Sequence, residues 1–176
     1  FSDEDINQLE EAPVKCGSLT DAADAKSVAD KLGFEHITLN FRDNFRKYVM
    51  TDFVNSYFAG ATPNPCIQCN RHIKFSKMLE SAKERGFDYI ATGHYAVVEY
   101  DEKSGRYLLK RATDRSKDQT YVLYSLTQEQ LAHTIFPLGT LTKSDVRALA
   151  ENAELVNSNK PDSQDICFVP DGDYAS

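Results

Sequence analysis

The stretch RHIKFSKMLESAKERGFDYIATGHY, residues 71–95, decides the fold class. Its first part carries apolar residues at helical spacing, and Gly86 supplies a stop, so this part predicts a helix. The part that follows, residues 88–95, predicts a buried strand that ends at Gly93. A helix followed directly by a buried strand is the alternation that is typical of α/β proteins.

The alternation continues outward from this stretch in both directions. Further helices and strands are predicted at residues 20–32, 35–41, 43–58, 95–100, 106–111, 127–133 and 142–153. Thr127 and Thr142 can cap the last two helices. The pattern favours an α/β domain with a mostly parallel sheet, whose ligands lie at the carboxyl ends of the strands, where Gly93 and His94 fall.

Composition sets the class of protein but does not decide a function. The chain has 176 residues, 41% hydrophobic, which fits one domain or one domain with part of a second. It shows no secretory signal and no apolar run long enough to span a bilayer, so we expect a cytoplasmic protein without a membrane partner. The net charge of −7 disfavours a nucleic-acid partner, but residues 61–117 carry 11 basic and 7 acidic residues and could contact phosphate.

Four cysteines invite chemical interpretation. Cys66 and Cys69 form one CxxC in residues 61–70, an uncharged segment with two prolines that predicts a loop before the basic residues of the next helix. Thiols near a helix N-terminus should have a lowered pKa. A zinc knuckle, a redox motif, a lone nucleophile and two incidental thiols all stay open, and Cys16 has no motif support.

The roles of the other candidate residues also stay open when only the residue types and their spacing are considered. Cys167 lies in ICFV, a predicted short strand, where a buried structural cysteine is the ordinary interpretation. His94 is either a polar contact at the sheet edge or a satisfied histidine in a turn. The triplet Lys117, Asp118 and Gln119 is usually solvated surface in such a polar loop.

Five segments, in order, resemble the tRNA-specific 2-thiouridylases, enzymes that thiolate the wobble uridine of tRNA. They are TPNPCIQCNRHIKF, DYIATGHYA, LLKRATDRSKDQTYVLYSL, FPLGTLTKSDVR and KPDSQDICFV. The resemblance implies an adenine nucleotide alpha hydrolase-like (HUP, or PP-loop ATPase) domain with a parallel sheet, followed by the start of a small second domain. The implied boundaries are 1–111 for the first and 112–176 for a helical and loop segment that carries the second cysteine.

The resemblance also implies a mechanism. ATP, with Mg²⁺, adenylates the uridine C2 oxygen, and a cysteine persulfide then brings sulfur to C2. Cys69 matches the family nucleophile and Cys167 the persulfide carrier, which is loaded by a cysteine desulfurase or a relay protein. The second cysteine then closes a disulfide, or hydrosulfide is released and attacks. Gly93 matches an ATP contact, and the positions that match tRNA contacts are Asn64, Pro65, Cys66, His94, Lys117, Asp118 and Gln119.

The sequence departs from the family pattern in three ways. It resembles the family from just after the SGGxDS loop that cradles ATP phosphates, and it stops before the β-rich C-terminal domains, so we expect a partial chain that is inactive alone. Many members have Asp where this chain has Cys66. Cys66, Cys69 and Cys167 could therefore hold a [4Fe–4S] cluster instead, although no metal is the primary expectation.

Two other functions remain open at this stage. One is a non-catalytic tRNA- or metal-binding module that has lost the ATP loop. The other is a related sulfurtransferase that makes 4-thiouridine or 2-thiocytidine, against which the TPNPCIQCN and DSQDICF segments argue.

Overall fold

The computed structural model describes residues 19–160 and 166–168. Cys16 and the irregular entry predicted for residues 1–19 therefore lie almost wholly outside the described residues. The helices are α1 Leu19–Leu32, α2 Arg42–Phe45, α3 Thr51–Phe58, α4 Pro65–Cys69, α5 Met78–Glu84, α6 Gln128–Ala132 and α7 Lys143–Asn152. π-Helical segments occupy Arg46–Met50 and Asn70–Lys77, and a 3₁₀ turn occupies Thr120–Val122. The strands are β1 Ile90–Ala91, β2 Ala96–Asp101, β3 Arg106–Arg111 and β4 Thr134–Ile135.

The described chain separates into two compact units. One is Asn40–Val146, and the other comprises the described residues before and after it. In the second unit, Lys160 bridges Asp21 and Asp24 of α1, with both N–O distances 2.7 Å. The predicted boundary between residues 111 and 112 stays a prediction.

The helices predicted before the central stretch are confirmed. The helix predicted at 20–32 is α1, and Gly33 follows it with φ +76°. The helix predicted at 43–58 is α2 and α3, joined without a break by the π-helical segment Arg46–Met50. The strand predicted at 35–41 is wrong, because residues 34–41 form no regular structure and no described strand pairs with them.

The longest helical run of the larger unit spans residues 65–84, which we call the cysteine helix. It consists of α4, the π-helical segment Asn70–Lys77 and α5. Predicting a loop over 61–70 was wrong in its second half. Asn64 accepts a hydrogen bond from the Cys66 N–H, and Pro65 occupies the first helical turn, so the helix begins there.

The sheet elements are short. β1 and β4 pair in parallel, with Ile90 opposite Thr134 and Ala91 opposite Ile135, so the strand predicted at 88–95 shrinks to two residues. β2 and β3 form the predicted antiparallel hairpin, and Gly105 in its turn has φ +64°. Residues 166–168 form no strand, contrary to the prediction for ICFV, of which Val169 lies outside the described residues.

One apolar core holds these elements of the larger unit together. Its central members are Phe75, Leu79, Ile90, Ala96, Val122, Leu123, Leu126, Leu131 and Phe136. Phe75 and Leu123 are fully buried. The core thus fixes the cysteine helix against β1 and against the segment after the polar loop. No described helix combines the length and apolarity required to cross a bilayer.

Candidate nucleotide and thiol site

The start of the cysteine helix presents the CxxC thiols. Cys66 is exposed and Cys69 is half-buried. Because they stand three residues apart on a helix, they lie on one face. Asn64 and Pro65 set this geometry, since the Asn64 side-chain oxygen lies 3.0 Å from the Cys66 nitrogen and Pro65 is buried.

Side chains of the preceding helical run contact residues that neighbour the two cysteines in the cysteine helix. Gln68 donates a hydrogen bond to Asp52 (3.1 Å), and the His72 ring stacks on Tyr48 at a centroid distance of 4.8 Å. Burial, with the nearby Arg71 charge, lowers the pKa of His72, although Asp52 opposes the shift. The lowered pKa favours the neutral ring of His72, which lies three residues after Cys69 in the sequence.

Asn70 is a buried anchor that the sequence reasoning missed. It is 1% exposed, and its Nδ2 donates a 3.0 Å hydrogen bond to the Val122 carbonyl. Its Oδ1 has no hydrogen-bond partner among the described residues. This bond ties the helix at Cys69 to the segment that follows the polar triplet. The one sequence signal for this anchoring role is that Asn70 directly follows Cys69.

An open pocket of about 460 Å³ lies at the carboxyl end of β1. Its lining residues are Lys74, Met78, Ala91, Thr92, Gly93, His94 and Gln119. Three of the residues singled out from the sequence, Gly93, His94 and Gln119, therefore meet at one cavity. This is the strand end at which the sequence predicted a ligand. Lys74 and Met78 come from the cysteine helix and were not anticipated.

His94 is held as a neutral imidazole. It is 8% exposed, its Nδ1 lies 2.8 Å from the Thr92 hydroxyl, and its ring packs near those of Phe75 and Phe136. Burial, assisted by the Lys74 charge, lowers the pKa of His94 to about 4. A cation on this side chain is thus disfavoured, and the ring acts as a hydrogen-bonding group.

Two members of the polar triplet, Asp118 and Gln119, hold their loop in place through hydrogen bonds. Asp118 accepts hydrogen bonds from the Ala112 N–H (2.8 Å) and the Thr120 hydroxyl (2.6 Å). Burial alone would raise the pKa of Asp118, but these hydrogen bonds outweigh it and leave the pKa below its ordinary value. Gln119 exchanges hydrogen bonds with the Tyr95 backbone. Of the triplet, the structure brings only Gln119 to the pocket.

The second cysteine belongs to the smaller unit. Cys167 is half-buried and precedes Phe168, which is 2% exposed. Within residues 19–160 and 166–168, no three His, Cys, Asp or Glu side chains gather closely enough to hold a metal ion. The iron–sulfur alternative stays a prediction, because Cys167 belongs to one compact unit and Cys66 and Cys69 belong to the other.

Comparison with known proteins places the fold. The family model described as "tRNA methyl transferase HUP domain" matches residues 2–171. Together with the parallel β1–β4 pair and the pocket at its end, this match defines an α/β protein of the nucleotide-hydrolase-like class. The fold class predicted from the sequence is confirmed.

The chain belongs to this family, and its similar curated relatives are tRNA-specific 2-thiouridylases, called MnmA. It is 49% identical to the one from Clostridioides difficile (strain 630) over all 176 residues, which cover 48% of that relative. It is 55% identical to MnmA 1 from Thermoanaerobacter sp. (strain X514) and 54% identical to MnmA from Acetivibrio thermocellus; each match covers 90% of the chain and 44% of the relative. The chain thus spans less than half the length of these relatives, and the predicted family resemblance is confirmed.

Proposed function

We propose that this chain is part of an ATP-dependent sulfurtransferase that 2-thiolates the wobble uridine of tRNA. The observation that carries the proposal is the identity of 49–55% with 2-thiouridylases over at least 90% of the chain. The geometry supports it, because the CxxC thiols and the pocket share one helix, which contributes Lys74 and Met78 to the pocket wall.

The first step prepares the base for substitution. The uridine C2 oxygen attacks the α-phosphorus of ATP, held with Mg²⁺, so that an O–P bond forms and pyrophosphate leaves. The base gives up its N3 proton to solvent. A poor leaving oxygen becomes part of AMP, a good leaving group. Gly93, at the pocket, is the residue that we assign to nucleotide contact.

Sulfur transfer follows in two substitutions. The terminal sulfur of a persulfide on Cys167 attacks C2, and AMP departs with the C2–O electron pair. The Cys69 thiolate then attacks the Cys167 sulfur, and the bond from Cys167 to the transferred sulfur breaks. The electron pair leaves on the 2-thiouridine, which regains a proton, while Cys69 and Cys167 form a disulfide. A dithiol reductant supplies the two electrons that reset the pair, and a cysteine desulfurase or relay protein supplies the next persulfide.

The remaining predicted contacts divide by their structural roles. Exposed Cys66 and pocket-lining His94 and Gln119 are the residues that we assign to the tRNA base and its neighbours. Asn64 and Asp118 support the site by holding backbone, and an additional contact with tRNA is part of the proposal. Lys117, in the basic middle of the chain, is assigned to phosphate.

The test uses the complete protein with unmodified tRNA, ATP, Mg²⁺, cysteine, a cysteine desulfurase and a dithiol reductant. We expect 2-thiouridine in the digested tRNA, with one AMP formed for each thiolated uridine. Omission of ATP should abolish the product. Tight tRNA binding without any 2-thiouridine would contradict the proposal and point to a non-catalytic binding module.

A further inference from the structure

We propose that Lys74 is the phosphate-binding residue of the pocket and holds the phosphate of the adenine nucleotide that departs as AMP. The inference rests on the proposed function and adds to it a residue that the sequence motifs did not single out. Three observations support it: the chemistry of the pocket wall, the position of Lys74, and the lack of an ion pair between Lys74 and any carboxylate that the structure describes.

The polar side chains at the pocket wall favour an anionic occupant. None of the seven described lining residues carries a carboxylate. Gln119 Oε1 accepts from the Tyr95 N–H at 3.0 Å, and because that N–H can only donate, the amide oxygen must face it. The Gln119 NH₂ group remains as a donor. Together with the Lys74 ammonium, it suits the acceptor oxygens of a phosphate.

Lys74 has an uncompensated charge among the described residues. It is half-buried and forms no ion pair with any described carboxylate. Lys77, three residues further along the same helix, instead pairs with Glu80 at 2.7 Å. His94 beside Lys74 stays neutral, so it neither balances that charge nor adds to it. A half-buried ammonium without a counterion is a site for an anion, because pairing offsets its desolvation.

The position of Lys74 also fits a phosphate next to the reacting base. Lys74 lies five residues after Cys69 on the cysteine helix. In an α-helix, positions five apart point well away from each other, since each residue turns the helix by about 100°. The i→i+5 hydrogen bonding of the segment Asn70–Lys77 widens the turn and brings positions 69 and 74 towards one face. In the proposed site, the uridine therefore lies beside Cys69 and its departing phosphate lies at Lys74.

The experiment compares Lys74→Met and Lys74→Arg with the control Lys77→Met in the complete protein. Equilibrium affinities for ATP, AMP, pyrophosphate and unmodified tRNA are measured separately by calorimetry. Removing one charge-assisted contact should weaken ATP and AMP binding about tenfold to a hundredfold in Lys74→Met. Lys74→Arg should retain part of the affinity, Lys77→Met should match the wild type, and the Lys74→Met defect should shrink as salt is raised.

The measured affinities of these variants can overturn the assignment of Lys74 in three ways. Unchanged ATP and AMP affinities in a folded Lys74→Met protein would overturn the assignment, as would a defect confined to tRNA, which would make Lys74 an RNA-phosphate contact. A defect shared equally by Lys77→Met would show a general loss of positive field and would also overturn it. If the wild type binds ATP through Lys74 but makes no 2-thiouridine, then the proposed function fails while the phosphate site stands.

Discussion

At the scale of single residues, Gly93 and Gly139 occupy contrasting surroundings. Gly93 lines the pocket, and a Cβ atom on it would make only an ordinary contact with Leu138, at 3.7 Å. A Cβ on Gly139 would collide with the backbone carbonyl of Ala96, where nothing can give way easily. The first glycine thus leaves room for a ligand, and the second permits two backbone segments to touch.

These two glycines predict different phenotypes. Gly93→Ala should leave the free energy of unfolding nearly unchanged and weaken ATP binding. Gly139→Ala should lower the free energy of unfolding by about 1–3 kcal/mol, because the backbone must shift. Urea denaturation and nucleotide titration of both variants check this. Equal stability losses in the two variants would contradict the described packing.

The neutral state of His94 predicts a pH dependence of stability. Its pKa is about 4 in the folded protein, against 6.5 when the chain is unfolded, so between these values the unfolded state binds more protons. The free energy of unfolding should therefore fall as the pH drops from about 6.5 towards 4, by at most about 1.4 kcal/mol per pH unit from this residue. The effect is small at pH 7 and vanishes at higher pH, where the ring is neutral in both states.

The measurement is urea denaturation of the wild type and His94→Asn at pH 7 and pH 5. Asparagine keeps a hydrogen-bonding atom for Thr92 but does not titrate. The wild type should lose up to about 2 kcal/mol more than the variant between the two pH values. An identical pH dependence in both proteins would mean that His94 is not buried as a neutral ring.

Asp118 supports the loop by accepting hydrogen bonds. We therefore expect the stability of the protein to depend on the side-chain oxygen at this position more than on its negative charge. Asp118→Ala leaves the buried Ala112 N–H without its acceptor and should cost about 1–3 kcal/mol of stability. Asp118→Asn keeps an oxygen for Ala112 and should cost less. Thermal and urea denaturation distinguish them, and equal losses would show that the negative charge itself is needed.

At the scale of secondary-structure elements, most of the cysteine helix could be predicted from the sequence, but its starting residue could not. Two prolines without charged residues favoured a loop, yet Asn64 and Pro65 are a cap and a first-turn residue. Asn and Pro are common both in loops and at helix N-termini, because Asn forms hydrogen bonds with nearby backbone in both settings and Pro fits the φ angle of both. The π-helical segment leaves no comparable signal, since backbone hydrogen bonding there is decided by packing.

The cap predicts a stability change at this helix. Asn64→Ala removes the acceptor for the Cys66 N–H and should cost about 1 kcal/mol, whereas Asn64→Asp keeps it. Chemical denaturation checks the difference. If the alanine and aspartate variants are equally stable, the hydrogen bond does not hold the helix start.

Strands were harder to predict than helices. The hairpin β2–β3 was anticipated because its turn signal is local, and its strands pair with each other. Residues 35–41 have strand-like composition but find no described partner. β1 pairs over only two residues with β4, more than forty positions later, and such a distant pairing leaves no local pattern.

At the scale of the whole molecule, the class of fold followed from the sequence, but the pocket that gathers separate candidate residues did not. Gly93, His94 and Gln119 were named as separate motifs, and the fold unites them with Lys74. That union depends on the core around Phe75, which no spacing along the chain reveals. The roles proposed for Cys69 and Cys167 come from the family resemblance, because no local pattern of residues assigns them.

The proposed mechanism relays one sulfur atom to uridine through two cysteines that are far apart in sequence. It is tested most directly by measuring 2-thiouridine in tRNA after reaction with the complete protein carrying Cys69→Ala, Cys167→Ala or the control Cys16→Ala, with cysteine, a desulfurase and ATP. We expect no 2-thiouridine with either of the first two variants and the wild-type amount with the control. Wild-type thiolation by Cys69→Ala or by Cys167→Ala would contradict it.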